Sequence, residues 1–133
     1  MKVAVILGTR PEIIKLSPII KQLNKKSTSV IFTGQHYDHN MGMSFIDQLG
    51  LNKPNYSMKI SKTKPELQIS EIIKKLSKIF AIEKPENVIV QGDTNTVLAA
   101  GIASLKCNIS ISHVESGLRS NDWRMPEEHN RII

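Results

Sequence analysis

The sequence predicts an α/β protein built on a doubly wound parallel sheet, of which the chain holds a part. Short apolar runs rich in β-branched residues alternate with longer segments whose apolar residues recur at helical spacing. The short runs also lack a regular alternation of apolar and polar residues, which is typical of strands covered on both faces. The predicted strands comprise residues 3–7, 30–33, 88–90 and 109–112.

Helical segments connect these strands. The first begins at Pro11 and keeps an apolar stripe as far as Leu23, and Pro18 is expected to kink it. The second covers residues 40–49 and is expected to end at Gly50, a typical C-cap residue. Two further helices are predicted over residues 65–80 and 94–105.

The third and fourth helices differ in the faces that they present. The fourth is rich in alanine and glycine, so it can lie close to the sheet. The third is amphipathic, with lysines on its outer face. Its predicted inward-facing residues are Ile69, Ile72, Ile73, Leu76 and Ile79.

A last helix opens at Pro126 with two acidic residues, Glu127 and Glu128, in its first turn. Proline at the first helical position and negative charge in the first turn both favour a helix start. The helix then stops at Ile133 without a C-cap. We therefore expect residues 1–133 to form one truncated domain.

The composition excludes several classes of protein. Net charge is +6, but the lysines are spread over predicted helices and aromatic residues make up only 5%, which argues against a nucleic-acid partner. No apolar run reaches the roughly 20 residues of a membrane span. The lone Cys107, expected to be a structural thiol beside a buried strand, excludes an internal disulfide and indicates a cytoplasmic protein.

Polar residues follow each predicted strand, where open α/β sheets bind their ligands. After the first strand, Gly8 permits a tight turn, Thr9 precedes the helix, and the backbone N–H groups there can hold an anion. Arg10 adds a planar fork of donors suited to a phosphate or a carboxylate. The alternative is a capped turn with a surface arginine. The glycine-rich dinucleotide fingerprint is missing, so the turn does not indicate NAD.

The second and third strands are followed by residues that allow two interpretations. Gln35 and His36 can hydrogen-bond a sugar or a nucleotide, or can merely satisfy backbone groups. Asp93 can serve a reaction, or can be the N-cap of the next helix.

Three carboxylates stand at separate strand or helix ends, and several arginines lie near them in the sequence. They are Asp93, Glu115 after the fourth strand, and Glu127. Such a set suits acid–base chemistry on a negatively charged substrate. The four histidines show no metal-ligand spacing, so no metal site is predicted.

Five strings, in order and spacing, resemble the non-hydrolysing UDP-N-acetylglucosamine (UDP-GlcNAc) 2-epimerases. They are GTRPEIIKLSPII, TGQHYD, VIVQGDTNT, HVESGLRS and MPEEHNRII. The resemblance implies two Rossmann-like domains in the glycosyltransferase-B arrangement, with the active site between them. Residues 1–133 would then be the amino-terminal domain, truncated, and the second domain would be absent from this chain.

The resemblance also implies the reaction and the residues that serve it. UDP-GlcNAc and UDP-N-acetylmannosamine (UDP-ManNAc) interconvert by elimination and re-addition of UDP through 2-acetamidoglucal, without a cofactor. Asp93, Glu115 and Glu127 match the catalytic acids. The residues matched to substrate binding are Gly8, Thr9, Arg10, His113 and Arg119.

Regulation and assembly are implied in the same way. Gln35 and His36 match a pair that contributes to an allosteric substrate site in bacterial members, although Asp38 stands where the family often has glutamine. The complete enzyme is expected to be a homodimer.

Other interpretations stay open at this stage. The chain can be an inactive fragment, or a weak nucleotide-sugar binding module, because it lacks the second domain. Relatives that act on UDP-2,3-diacetamido sugars or hydrolyse the substrate, and glycosyltransferases of the same architecture, are further alternatives. The Arg-Pro-Glu that follows Gly8-Thr9 favours the UDP-GlcNAc enzymes.

Overall fold

The first strand, β1 (Val3–Leu7), lies at the centre of a parallel sheet. In the computed structural model, which describes residues 1–34 and 39–133 and only the backbone of 39–43, the sheet has five strands. Strand β1 pairs with β2 (Thr28–Phe32) on one side and with β4 (Asn87–Gln91) on the other. The edges are β3 (Tyr56–Ser57) beside β2 and β5 (Ser110–Val114) beside β4.

Helices connect the strands and cover both faces of the sheet. They are α1 (Arg10–Gln22), α2 (His39–Gln48), α3 (Pro65–Glu83), α4 (Asn95–Lys106) and α5 (Pro126–Ile132). Alternate residues of β1 enter two separate cores: Ala4 and Ile6 pack with α3 and α4, whereas Val5 and Leu7 pack with α1 and α2. This is the doubly wound α/β architecture that the sequence predicts.

The local signals in the sequence act as expected at most helix ends. Gly50 has φ +72° just after α2, its N–H donates to the Asp47 carbonyl oxygen, and the Leu51 N–H donates to the Ile46 carbonyl oxygen. This pair of bonds is a Schellman motif, so the predicted C-cap is confirmed. In α3, Ile72, Leu76 and Ile79 are buried and Ile69 and Ile73 are partly buried, also as predicted. Helix α1 continues past Pro18 to Gln22.

Two expectations fail near the edges of the sheet, and one strand is found that was not predicted. The additional strand is β3, whose two residues are too few to give a hydrophobic pattern. Strand β5 is not covered on both faces, since Ser110, Ile111 and Ser112 are exposed. Cys107 is exposed as well, because it follows the last turn of α4 on the outside of the fold.

The direction in which successive strands are added to the sheet changes between β1 and its neighbour β4. From β1 the chain winds outward through β2 to β3, and it then returns to add β4 on the other side of β1. The carboxyl ends of β1 and β4 therefore border the switch point at which such sheets bind ligands. In the described part of the chain, no helix combines the length and the apolar character that crossing a membrane requires.

Candidate functional site

Arg131 joins two of the predicted acids at the switch point. Its Nη2 lies 2.9 Å from Asp93 Oδ2, after β4, and 3.8 Å from Glu115 Oε1, after β5. The arginine side chain is only 6% exposed, whereas the side chains of Asp93 and Glu115 are 31% and 29% exposed. One buried guanidinium thus holds two carboxylates that still reach solvent, which suits contact with a ligand.

Lys15 of α1 binds the other oxygen of Glu115. Its Nζ lies 2.7 Å from Glu115 Oε2. This hydrogen bond is the main cause of a lowered pKa for the Glu115 carboxyl; burial opposes it, and the charges of Lys15 and Arg131 add to it. Glu115 is therefore ionised at neutral pH and lies between two cations.

The backbone of Glu115 adopts a conformation that is uncommon for a residue with a side chain. Its φ is +67°, in the left-handed region. Such a conformation costs on the order of 1–3 kcal/mol and is often found where a side chain must be aimed at a ligand. Here the turn after β5 directs the carboxylate towards Lys15 and Arg131.

Glu12 of α1 lies beneath the turn that follows β1. The residue is 1% exposed, and its Oε1 accepts hydrogen bonds from Gly8 N at 3.2 Å, Thr9 N at 2.8 Å and Thr9 Oγ1 at 2.8 Å. Its Oε2 lies 3.1 Å from Thr94 Oγ1, in the turn that follows β4. The carboxyl group therefore connects the two turns that border the switch point.

Burial dominates the acid–base behaviour of Glu12. It raises the pKa of the carboxyl to about 7, although the hydrogen bonds from Thr9, Thr94 and Gly8 act in the opposite direction. The contacts also correct the expectation that the N–H groups of Gly8 and Thr9 hold an external anion. Both donate to Glu12, so the group that they bind belongs to the same turn and helix.

Asp93 is not the N-cap of the helix that follows it. The cap of α4 is Thr94, whose Oγ1 accepts from Val97 N at 3.4 Å. Asp93 lies one residue too early for this role, and its carboxylate turns instead to Arg131. Of the two interpretations of Asp93, capping is therefore wrong.

Helix α5 is fixed to the β4 turn by a buried amide. Asn130 Nδ2 donates to the Asp93 carbonyl oxygen at 2.9 Å and to Asn95 Oδ1 at 3.2 Å. At the other end of the connection, the buried Glu128 accepts from Ser120 N at 3.1 Å and from Asn121 N at 2.8 Å. These bonds position Arg131 within reach of both carboxylates.

The other predicted site residues are less closely joined. His113 Nε2 donates to the Gly92 carbonyl oxygen at 2.6 Å, and Arg10 places its guanidinium carbon 4.6 Å from the centre of the Phe45 ring. Arg119 is exposed and donates to carbonyl oxygens of its own loop, those of Ser116 and Leu118. Glu127 is exposed in the first turn of α5.

Gln35 and His36 lie outside the described residues, so their allosteric role stays a prediction. Among the residues that are described, no three His, Cys, Asp or Glu side chains are placed to hold a metal ion together.

Four residues of the site were not predicted as functional: Glu12, Lys15, Asn130 and Arg131. For Glu12 a signal was present, because Thr9-x-x-Glu12 is the pattern of a capping box. The partners of the other three come from distant parts of the chain, and only the fold brings them together.

Comparison with known proteins places this chain in a family. The family model described as UDP-N-acetylglucosamine 2-epimerase matches residues 20–133. A UDP-N-acetylglucosamine 2-epimerase from Methanococcus maripaludis is 48% identical over 132 residues, which are 99% of this chain and 36% of that protein. A UDP-2,3-diacetamido-2,3-dideoxy-D-glucuronate 2-epimerase from Pseudomonas aeruginosa is 40% identical over 136 residues, covering 100% of this chain and 38% of that protein.

A solved structure matches the fold closely. The Methanocaldococcus jannaschii UDP-GlcNAc 2-epimerase, crystallised in complex with UDP-GlcNAc and UDP, superposes with a TM-score of 0.93 at 47% identity. The match covers 99% of this chain and 37% of that one. The chain thus spans little more than a third of the length of the relatives that it matches.

Proposed function

Because the chain belongs to the UDP-N-acetylglucosamine 2-epimerase family, we propose that it forms the amino-terminal domain of a non-hydrolysing UDP-GlcNAc 2-epimerase. The observation that carries the proposal is the pair Asp93 and Glu115, bridged by Arg131 at the carboxyl ends of β4 and β5. Both carboxylates keep contact with solvent, and cations hold them in place. Carboxylates of this kind are suited to proton transfer on an anionic substrate.

The reaction proceeds in two redox-neutral steps. A base takes the proton from carbon 2, and the electrons of that C–H bond form a double bond to carbon 1. The bond between carbon 1 and the UDP oxygen breaks at the same time, and its electrons leave with UDP. The product is 2-acetamidoglucal beside bound UDP. In the second step a UDP oxygen adds back to carbon 1, and a proton reaches the opposite face of carbon 2.

The residues divide between proton transfer and charge. Asp93, Glu115 and Glu127 serve proton transfer or its support. Arg10, at the start of α1, and Lys15, in its second turn, supply positive charge for the leaving diphosphate, a role in which cations stabilise the developing negative charge. His113 and Arg119 belong to the substrate-binding surface, and Gly8 and Thr9 act through the turn that carries Arg10.

A second domain is needed for turnover. Asp93 and Glu115 lie beyond the carboxyl ends of β4 and β5, where their side chains are 31% and 29% exposed. Water there would screen their charges and compete for reactive intermediates. We propose that the full-length protein covers this end of the sheet with a second domain in the glycosyltransferase-B arrangement. The 133-residue chain alone is then an inactive fragment or a weak binder. The full-length protein works in the cytoplasm, as a homodimer.

The relative from Pseudomonas aeruginosa makes a second substrate class worth testing. Full-length protein would be incubated with UDP-GlcNAc, and separately with a UDP-2,3-diacetamido sugar, and the products separated by anion-exchange chromatography. The proposal expects UDP-ManNAc from the first substrate and no epimer from the second. Conversion of the diacetamido sugar alone would replace the proposed substrate while keeping the reaction class.

A further inference from the structure

Glu12 makes contacts that its role in the helix start does not require. A capping box needs the glutamate only to accept from the backbone of the cap residue, here Thr9. The same carboxyl also reaches Thr94 Oγ1 at 3.1 Å, in a turn that belongs to another strand. The side chain thus spans the switch point from β1 to β4.

The two turns held by Glu12 carry residues of the proposed site. Thr9 directly precedes Arg10, and Thr94 directly follows Asp93. A side chain bonded to both threonines therefore sets the distance between the turn that presents a cation and the turn that presents a carboxylate.

The buried position of Glu12 comes at an energetic cost that a neutral side chain would avoid. Removing a carboxyl group from water is unfavourable unless its oxygens are hydrogen-bonded, and here both oxygens are. The bonds still do not fully compensate, because burial raises the pKa of the group above its ordinary value. Costly buried polar groups of this kind are expected mainly at functional sites.

We propose that Glu12 is a positioning residue for the epimerase reaction, holding the turn after β1 and the turn after β4 at a fixed separation. This inference rests on the proposed function. The bonds of Glu12 act through shape and not through charge: Oε1 accepts three hydrogen bonds, and Oε2 faces a hydroxyl group. An amide in the same place keeps the three bonds that Oε1 accepts and still links the two turns, although the bond to Thr94 reverses: Thr94 Oγ1 donates to Glu12 Oε2, whereas an amide nitrogen donates to Thr94 Oγ1.

Two substitutions in the full-length protein separate shape from charge. Glu12→Gln keeps the length of the side chain and should turn over UDP-GlcNAc about as fast as wild type. Glu12→Asp keeps the carboxyl group but is one methylene too short to reach both turns. We expect kcat to fall about 100-fold in Glu12→Asp, with a smaller change in KM, because misplaced catalytic groups mainly weaken transition-state binding.

Glu83→Ala provides the matched control. Glu83 is also a hydrogen-bonded glutamate, which binds Lys2 Nζ and Tyr56 Oη at 2.7 Å each, at the opposite end of the sheet. This variant should lose stability and keep kcat. Retained activity in Glu12→Asp together with lost activity in Glu12→Gln would overturn the inference, because Glu12 would then act through its charge.

Amide hydrogen exchange at Gly8 and Thr9, without substrate, tests the same bonds independently of activity. Exchange should be faster than wild type in Glu12→Asp and unchanged in Glu12→Gln. If the wild-type protein shows no epimerase activity, the proposed function fails, while the exchange rates still report on the connection between the turns. Unchanged exchange in Glu12→Asp would overturn the inference even in an active enzyme.

Discussion

Arg131 and Asp93 form an ion pair of 2.9 Å, although one lies in α5 and the other after β4. The guanidinium also faces Glu115, and its Nε has no hydrogen-bond partner within the described part of the chain. Because the arginine side chain is buried and the carboxylates are partly exposed, the cation is the fixed element of this group.

Replacing Arg131 by lysine should impair catalysis. We expect Arg131→Lys in the full-length protein to reduce kcat on the order of 100-fold, since the shorter lysine side chain does not bring its ammonium group to the place of Nη2 between the two carboxylates. The measurement is the steady-state rate of UDP-ManNAc formation. Arg124→Lys is the control, because Arg124 is 90% exposed and pairs with its neighbour Asp122. Equal rates in the two variants would contradict the role of Arg131.

Glu115→Gln should abolish most of the turnover without unfolding the protein. The loss should be about 100-fold or more, because general acid–base groups contribute at least that much. Circular dichroism should match wild type, since the substitution keeps the side-chain volume. Glu66→Gln, at an exposed position in the first turn of α3, is the control. Wild-type rates in Glu115→Gln would remove this residue from the mechanism.

Lys15→Met should change the pH dependence of the reaction. Lys15 favours the ionised form of Glu115 and lowers the pKa of its carboxyl, so removing the lysine raises that pKa. If the ionised carboxylate is the active form, the acid limb of kcat/KM against pH moves to higher pH. Lys21→Met, on an exposed position of the same helix, should leave the limb unmoved. An unmoved limb in Lys15→Met would show that ionisation of Glu115 does not control the rate.

Glu12 should make stability depend on pH. Its pKa is about 7 in the folded protein, against an ordinary value of 4.5. Unfolding therefore releases a proton between these values, and the free energy of unfolding should fall as pH rises through that window, by on the order of 3 kcal/mol in total. Below the window both states are protonated, and above it both are ionised, so the contribution is constant there.

Glu12→Gln is the variant that isolates this effect, because glutamine does not titrate. Urea unfolding at a series of pH values gives the free energy of unfolding of both proteins. The difference between the two free energies should grow in favour of the glutamine variant from about pH 4.5 to about 7. A difference that does not vary with pH would mean that the buried carboxyl titrates normally.

The isolated 133-residue chain should self-associate through the face formed by α4, β5 and α5. Leu105, Ile111 and Ile133 on this face are 71%, 41% and 77% exposed. Exposed apolar surface of this kind favours contact between copies. Sedimentation velocity over a range of concentrations should detect oligomers, and Ile111→Lys should reduce them more than the control Ile82→Lys. A monomer at all concentrations would contradict the prediction.

The sequence was sufficient to predict most of the fold. Four strands and five helices are found within a few residues of their predicted positions, because the buried runs and the proline and glycine signals at helix ends are local. Strand β3 was missed, since Tyr56–Ser57 joins the sheet through two backbone pairings with β2 and not through a hydrophobic run. The exposure of β5 was missed because it depends on which elements cover the edge.

The site was predictable only in part. Asp93, Glu115 and Arg10 each follow a predicted strand closely. Their position at the carboxyl ends of the strands could therefore be inferred from the predicted strands alone. Their partners could not, because Arg131 and Lys15 approach them from α5 and α1. The left-handed backbone of Glu115 also has no signal in the sequence, since glutamate is not a residue type that favours it.

The central claim is that the full-length protein exchanges the proton on carbon 2 of UDP-GlcNAc while UDP leaves and returns. Proton NMR of UDP-GlcNAc in heavy water with the full-length protein tests this most directly. The account predicts that the carbon 2 proton signal disappears as deuterium replaces it and that UDP-ManNAc accumulates without net release of UDP. Retention of that proton, or release of UDP with free N-acetylmannosamine, would contradict it.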